Sequence, residues 1–172
     1  MRLTPDFYRQ DVLLAAPALL GKLLCRAGES GAVLRLRITE TEAYRGEEDT
    51  ACHAHRGKTP RTATLYLTGG AAYVYLCYGI HSLLNVVTGK GGQPQAALIR
   101  GVQGFNGPGR VTKALGIDRS LNGEDLPRSE RLWLEDDGCR PVAVRALPRV
   151  GIAYAEEEDR ARLWRFLADA FQ

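Results

Sequence analysis

Val33-Leu34-Arg35-Leu36-Arg37-Ile38-Thr39-Glu40-Thr41-Glu42-Ala43-Tyr44 is the stretch from which the fold is read. Apolar and charged side chains alternate along it with a period of two, as in a strand with one face turned to a core. Leu34, Leu36 and Ile38 fall on one face, Arg35 and Arg37 on the other. Carried on unbroken, the period puts Glu40, Glu42 and Tyr44 on the apolar side. A carboxylate turned toward a core needs a partner or takes a raised pKa. At a strand end, such a group is a candidate acid or base. A bend or bulge near Thr39 would instead return both glutamates to solvent.

Outward from this strand, residues 22–26 read as a second strand, turned by Gly28-Glu29-Ser30-Gly31 into the first. Asp11 is placed to cap a short helix over 12–20, with Pro17 inside it and Gly21 stopping it. Residues 45–61 are polar and irregular, a long loop or capping element of the kind that often carries function. Residues 72–78, 83–88 and 95–102 read as strands, the last two separated by Gly89-Lys90-Gly91-Gly92. A Gly-rich loop over 104–109 leads to a helix over 110–116, and strands follow at 133–135 and 141–147. Residues 156–171 read as an amphipathic helix with Leu163, Phe166, Leu167 and Phe171 on one stripe. Strands dominate the middle and helices the ends, so the expected class is α+β around a largely antiparallel sheet.

At 172 residues the chain is sized for one domain, and 45% hydrophobic residues supply an ordinary core. No apolar run approaches the ~20 residues of a membrane span, and Met1–Asp6 carries no signal-type apolar region. Cys25, Cys52, Cys77 and Cys139 form no Cys-x-x-Cys pair, which points to reduced thiols and a cytosolic protein rather than a disulfide framework. The net charge of +3 hides a marked asymmetry. Between positions 51 and 117 there is no Asp or Glu, although about eight would be expected from their overall share. The same stretch holds Arg56, Lys58, Arg61, Lys90, Arg100, Arg110 and Lys113. A basic field beside an inward carboxylate suits a polyanionic substrate.

Tyr44, Tyr66, Tyr73, Tyr75 and Tyr78, five of the seven tyrosines, fall in or just before that basic region. Stacking of a nucleobase on an aromatic ring is worth roughly 1–3 kcal/mol. Tyr is also simply a good strand residue, but the cluster beside Glu42 favours the base-handling reading. Cys52-His53-Ala54-His55, with a distant His81, matches no standard zinc spacing, so His53 reads better as a hydrogen-bonding pocket wall than as a ligand. Gly107-Pro108-Gly109-Arg110-Val111-Thr112-Lys113 sets a Gly-rich turn before a helix with two cations: either a backbone-phosphate clamp or a plain Pro-started helix. It is not a Walker sequence, which argues against an NTPase. There is no Gly-x-Ser-x-Gly, and with four lysines a Schiff-base mechanism has few candidates.

Thr41-Glu42-Ala43-Tyr44, Asp49, His53, Thr59-Pro60-Arg61, Tyr73-Val74-Tyr75 with Tyr78-Gly79, Asn85, Leu98-Ile99-Arg100 and Gly107-Pro108-Gly109 occur in this order. In this the chain resembles the alkyladenine (3-methyladenine) DNA glycosylase family over about residues 7–166. The resemblance implies one glycosylase domain spanning 1–172, a curved antiparallel sheet with flanking helices, and a hairpin that inserts into DNA. It implies Glu42 as the base that activates water, with Arg100 near the nucleotide phosphate and that water. It implies Tyr44, His53 and Tyr75 as walls around the flipped base and Asn85 as the residue disfavouring normal guanine. Tyr78 would be the wedge in the duplex; beside it, the cations Arg61, Arg110 and Lys113 of the basic stretch are the candidates for contact with the DNA backbone. The implied partner is duplex DNA holding damaged purines, bound by a monomer with no membrane, metal or cofactor. The product would be an abasic site in an uncut strand. Thr62, where the family often has Asn, and Leu65-Tyr66, where Met-Phe is common, depart from the pattern. Two rivals stand beside this reading. A non-enzymatic single-strand binder would account for the basic, Tyr-rich middle but not for Glu42, and a metal-dependent hydrolase would use Cys52, His53, His55 and His81.

Overall fold

The computed structural model describes residues 1–172. Nine strands run β1 Leu23–Ala27, β2 Val33–Arg45, β3 Ala72–Cys77, β4 His81–Val87, β5 Gln95–Val102, β6 Phe105–Asn106, β7 Leu132–Glu135, β8 Arg145–Leu147 and β9 Arg165–Leu167. Four helices accompany them: α1 Pro5–Tyr8, α2 Val12–Ala18, α3 Pro108–Leu115 and α4 Glu157–Ala161. The strands form one curled sheet in the order β3-β4-β5-β2-β1-β7, with β6 on β5 and β9 joining β2 to β8. Every ladder is antiparallel, so the α+β class and the antiparallel sheet hold.

Thirteen-residue β2 is the long strand that the alternation predicted, but its period breaks. The register with β5 shifts between Ile38 and Glu40 and again between Glu40 and Thr41. Gly101 faces this irregularity, where an added Cβ would stand 3.0 Å from Thr39 Oγ1 and 3.1 Å from Glu40 Cβ. A bulge reverses which face successive residues present. Ile38 packs in the main core before it, and Thr41 and Ala43 turn the same way after it. Thr41 Oγ1 donates to Ala16 O of α2 at 2.8 Å. Glu42 therefore does not share a face with Ile38, as the unbroken period had it, but lies on the opposite one. It is still buried, because that second face is covered.

The main core lies between the sheet and helices α1–α3. Tyr8, Val12, Ala16 and Leu19 meet Ile38, Ala43, Val74, Leu84, Val86, Ala97 and Ile99. Each fully buried aliphatic side chain of this kind contributes about 1.5–3 kcal/mol by leaving water. Asp11 caps α2 as expected, accepting from Leu13 N at 2.9 Å. Across the other face lies a smaller cluster of Cys52, Ala54, Leu65, Ala71, Tyr73, Val87 and Ala96, roofed by the loop after β2.

Two expectations at the C-terminal end fail. The strand over 141–147 shrinks to β8, and the helix over 156–171 shrinks to α4, with β9 in its second half. Beyond the bulge β2 has a free edge, since β1 pairs only with residues 33–37. Leu167, Phe166 and Arg165 pair there with Glu40, Thr41 and Glu42, and Trp164 O accepts from Ala43 N at 2.8 Å. Ladder hydrogen bonds on an otherwise open edge outweigh a helical pattern of only a few apolar residues. Leu163, read as core, is half exposed.

Gly69 ties the loop after β2 to the helical side. Its N–H donates to Gly89 O and Gly89 N–H to Tyr8 O, each at 2.9 Å. A Cβ at Gly69 would stand 2.0 Å from Tyr8 O, against backbone that cannot yield locally. Gly69→Ala is expected to destabilise the fold by at least the roughly 1–3 kcal/mol of core overpacking. Urea unfolding followed by circular dichroism measures this, and an unchanged midpoint would contradict it.

Candidate active site

The cross-strand register builds the site. On the second face Tyr73 of β3 lies opposite Asn85 of β4, Asn85 opposite Leu98 of β5, and Leu98 opposite Glu42 of β2. Ala96 pairs with Tyr44 in the neighbouring row. A cleft of about 1290 Å³ opens over these rows, bounded also by the 50–65 loop, the start of α3 and residues 150–156. Tyr44, His53, Arg61, Tyr75, Tyr78, Asn85, Arg100, Arg110 and Lys113 all line it. Glu42 alone among the candidates does not, for it has no exposed surface and stands behind the wall that Tyr44, Leu98, Arg100 and Val150 make.

Three groups hold the Glu42 carboxylate. Tyr44 donates its hydroxyl to Oε2 at 2.7 Å and Val150 its backbone N–H to Oε1 at 2.7 Å. Arg100 Nε lies 3.5 Å from Oε1 and 3.2 Å from Glu40 Oε1, which also takes Arg165 at 3.1 Å. Burial pushes the Glu42 carboxyl above its ordinary value, and Arg100, Val150 and Tyr44 only partly offset that. Tyr44 is itself held well above 10 by burial and by the Glu42 charge, so it stays a donor.

The aromatic walls are set by strand position. His53 opens a short 3₁₀ turn, His53–Arg56, and meets Tyr75 edge-on at 4.5 Å between ring centroids. Its Nδ1 stands 3.0 Å from the hydroxyl of Tyr73, a phenol pushed up to about 12 by burial. His53 and Tyr75 thus form one wall. Tyr44 rises from β2, with β4 and β5 between it and β3. At about 4.8 Å per strand the two backbones stand roughly 14 Å apart, which leaves room for side chains and a planar ring. Arg61 lies 5.7 Å above the Tyr75 ring. Asn85 is buried and donates from Nδ2 to Tyr73 O at 3.3 Å.

Tyr78 stands apart from the walls, at the tip of the β3–β4 hairpin. It is 93% exposed and is the one non-glycine residue with positive φ, 51°. With Gly79 it forms a tight turn closed by Ile80 N–H to Cys77 O. Holding a bulky residue in the left-handed region costs about 1–2 kcal/mol, and a strained exposed aromatic points to function. Arg110 and Lys113 are exposed on α3, whose first turn faces the same cleft.

The match to known proteins is extensive. The family described as Methylpurine-DNA glycosylase (MPG) matches residues 6–105 and 103–171. The chain belongs to that family. Among its relatives, a Psychrobacter cryohalolentis protein is 42% identical, over 88% of this chain and 84% of its own. One from Methanocella arvoryzae is 43% identical over 94% and 89%, and one from Natranaerobius thermophilus 40% over 96% and 94%. Each bears the name "Putative 3-methyladenine DNA glycosylase". A DNA glycosylase has DNA for its partner, and the cationic rim of this cleft suits the phosphates of one.

Other groups in this glycosylase's site carried no sequence signal. Val150 holds Glu42 from 108 residues away, and buried Arg149 forms a bidentate pair with Asp49, 100 residues distant. Both lie between β8 and α4, in a stretch where the sequence pattern marks no element. Tyr154 is anchored by its hydroxyl to Ala51 O at 2.7 Å at the cleft margin. Of the departures from the family pattern, Thr62 and Leu65 line the cleft: Thr62 Oγ1 accepts from Thr59 N at 2.9 Å inside the loop, Leu65 packs in the smaller cluster, and Tyr66 bonds Glu47. His55 bonds Glu47 O, and no group of three or more His, Cys, Asp or Glu converges as a metal site would require. No helix is long and apolar enough to cross a membrane.

Burial, followed by the Arg61 charge, holds the His53 pKa below its ordinary 6.5. A depressed His leaves the folded state with fewer bound protons than the unfolded chain near pH 6. Stability from this group is therefore present above pH 6.5 and lost as the pH falls through it. The His53 imidazole, followed by NMR against pH, is expected to titrate below 6.5, and a midpoint at or above that value would contradict the site as described.

Proposed function

We propose that this glycosylase is monofunctional and removes alkylated or deaminated purines, the class of 3-methyladenine, 7-methylguanine, hypoxanthine and ethenoadenine. Its substrate is duplex DNA, bound by a monomer without metal or cofactor. The observation that carries this reading is a fully buried, desolvated carboxylate set behind an aromatic cleft with a cationic rim. A single-strand binder would need the cleft but not the carboxylate.

A base inside a duplex is out of reach, so the damaged nucleotide swings out at a cost of a few kcal/mol. Tyr78 fills the gap it leaves, and Arg61, Arg110 and Lys113 hold the backbone by charge. The purine enters between Tyr44 on one side and His53 with Tyr75 on the other. A cationic alkylated base gains from the negative faces of the tyrosine rings. Asn85 sits in the row between Tyr73 and Leu98, where its amide penalises the exocyclic amine of normal guanine.

Glu42 then acts as general base. A carboxylate has about four acceptor sites, and Tyr44 and Val150 fill two. A free site takes the proton of a water that attacks C1′, while the carboxylate charge and Arg100 balance the oxocarbenium-like state and the phosphate. The C1′–N bond breaks, and the base leaves with the bonding pair. Water, activated by Glu42, is the nucleophile in this reading, and the strand stays intact.

Duplex oligonucleotides holding one lesion each, treated with alkali after incubation to cut at abasic sites, test the activity. Glu42→Gln should bind such duplexes while losing on the order of 10²- to 10⁴-fold in single-turnover excision. Because Glu42 must be ionised, wild-type excision should rise with pH through a limb above 4.5. Excision by Glu42→Gln near the wild-type rate would remove Glu42 from the role.

A wedge acts only where there is a stack to fill. Tyr78→Ser should therefore weaken lesion-duplex binding by about the 1–3 kcal/mol of one stacking contact and leave excision from single strands nearly unchanged. Equal losses on both substrates would make Tyr78 a pocket wall instead.

A further inference from the structure

Arg149 is buried, yet none of the steps above uses it. Nη1 and Nη2 meet Asp49 Oδ2 and Oδ1 at 2.6 and 2.9 Å. The same nitrogens donate to Ala43 O at 2.9 Å and Asp159 O at 3.3 Å. The guanidinium carbon lies 4.9 Å from the centroid of the Tyr44 ring and 5.0 Å from that of Trp164.

These contacts converge on the two closest partners of Glu42. Ala43 O belongs to the backbone between Glu42 and Tyr44, and the Tyr44 ring under the guanidinium carries the hydroxyl that donates to Oε2. Val150, the residue after Arg149, donates its N–H to Oε1. We propose that Arg149, locked by Asp49, is a positioning residue for base release: it seats the Tyr44 ring and the Val150 amide against Glu42 and so makes the 149–159 segment part of the site. The proposal rests on Glu42 as the general base.

Only a guanidinium meets these demands at once. It is planar, stacks on rings and offers five donors in a fixed fork, whereas an ammonium is a point charge with three. Removing one member of a buried pair leaves the other charge stranded, but replacing both with apolar groups of similar volume is often neutral for stability. Asp49 also accepts from the backbone N–H of Arg45 at 3.0 Å and of Ala51 at 3.1 Å, so Asp49→Asn, which keeps an acceptor there, combined with Arg149→Met separates positioning from folding. Arg149→Lys, which keeps a cation beside Asp49, is the second variant.

The charged and titratable groups around Glu42 are Arg100 from β5, Glu40 and Tyr44 from its own strand, Arg165 from β9 through Glu40, Tyr75 from β3, and Arg149 and Tyr154 from the 149–154 segment. Of the groups that hold Glu42 ionised, the Val150 N–H and the Tyr44 hydroxyl depend on Arg149. Losing them moves Glu42 ionisation, and with it the acid limb of excision, to higher pH.

Both variants should keep a cooperative thermal transition and wild-type affinity for an undamaged duplex, which does not engage the Tyr44 wall. Single-turnover excision at pH 7 should fall on the order of 10²-fold, the usual effect of a small misplacement of reacting groups, and the acid limb should shift upward. Wild-type excision in a folded variant, or a loss with the limb unmoved, would overturn the proposal. Glu42→Gln run in parallel tells the two ideas apart. An inactive Glu42→Gln beside active Arg149 variants sinks only the positioning role, and an active Glu42→Gln sinks both.

Discussion

One bulge organises this protein. Between Ile38 and Thr41 strand β2 slips against β5, and its side chains exchange faces. Before the slip, the strand gives Ile38 to the core under α2; after it, Thr41 and Ala43 take that face and Glu42 and Tyr44 take the other. Without the slip, Glu42 would press into an aliphatic core with no donor near it. With it, the carboxylate arrives in the row of Leu98, Asn85 and Tyr73, within reach of a hydroxyl, an amide and a guanidinium.

The slip also opens the edge on which the C-terminal segment docks. β9 pairs with residues 40–42, and the chain leading into it brings Arg149 and Val150 to the back of the site. Around Glu42 both faces of β2 are thereby covered, one by helices and one by the loops that wall the cleft. That covering desolvates Glu42 and raises its pKa. A base tuned toward working pH needs such desolvation together with donors that keep part of it ionised.

Charge is sorted as carefully as shape. The segment without acidic residues, 51–117, supplies β3 to β5, the roof loop and the start of α3, so the cleft has a cationic rim. Several acidic groups elsewhere are tied down: Asp49 by Arg149, Glu40 by Arg100 and Arg165, Asp136 by Lys22 and Arg140. Carboxylates so paired add little repulsion toward a polyanion approaching the cleft.

The sequence by itself determined a good deal. Alternation located β2 and strand-forming runs beside glycine turns located β3 and β5, because both signals are local, and Asp11 marked its helix because a cap bonds within one turn. The missing acidic residues declared a polyanion partner, and the spaced blocks around Glu42 and Tyr75 declared the family. Tertiary structure decided the rest. The face on which Glu42 lies depends on one extra residue in β2, and a bulge leaves no compositional mark. Leu163, Phe166, Leu167 and Phe171 keep a helical period, but an open strand edge claimed residues 165–167 first. Arg149 meets Asp49 across 100 residues and Val150 meets Glu42 across 108. No local pattern encodes such pairs, because they exist only after chain closure brings the two ends of the site together.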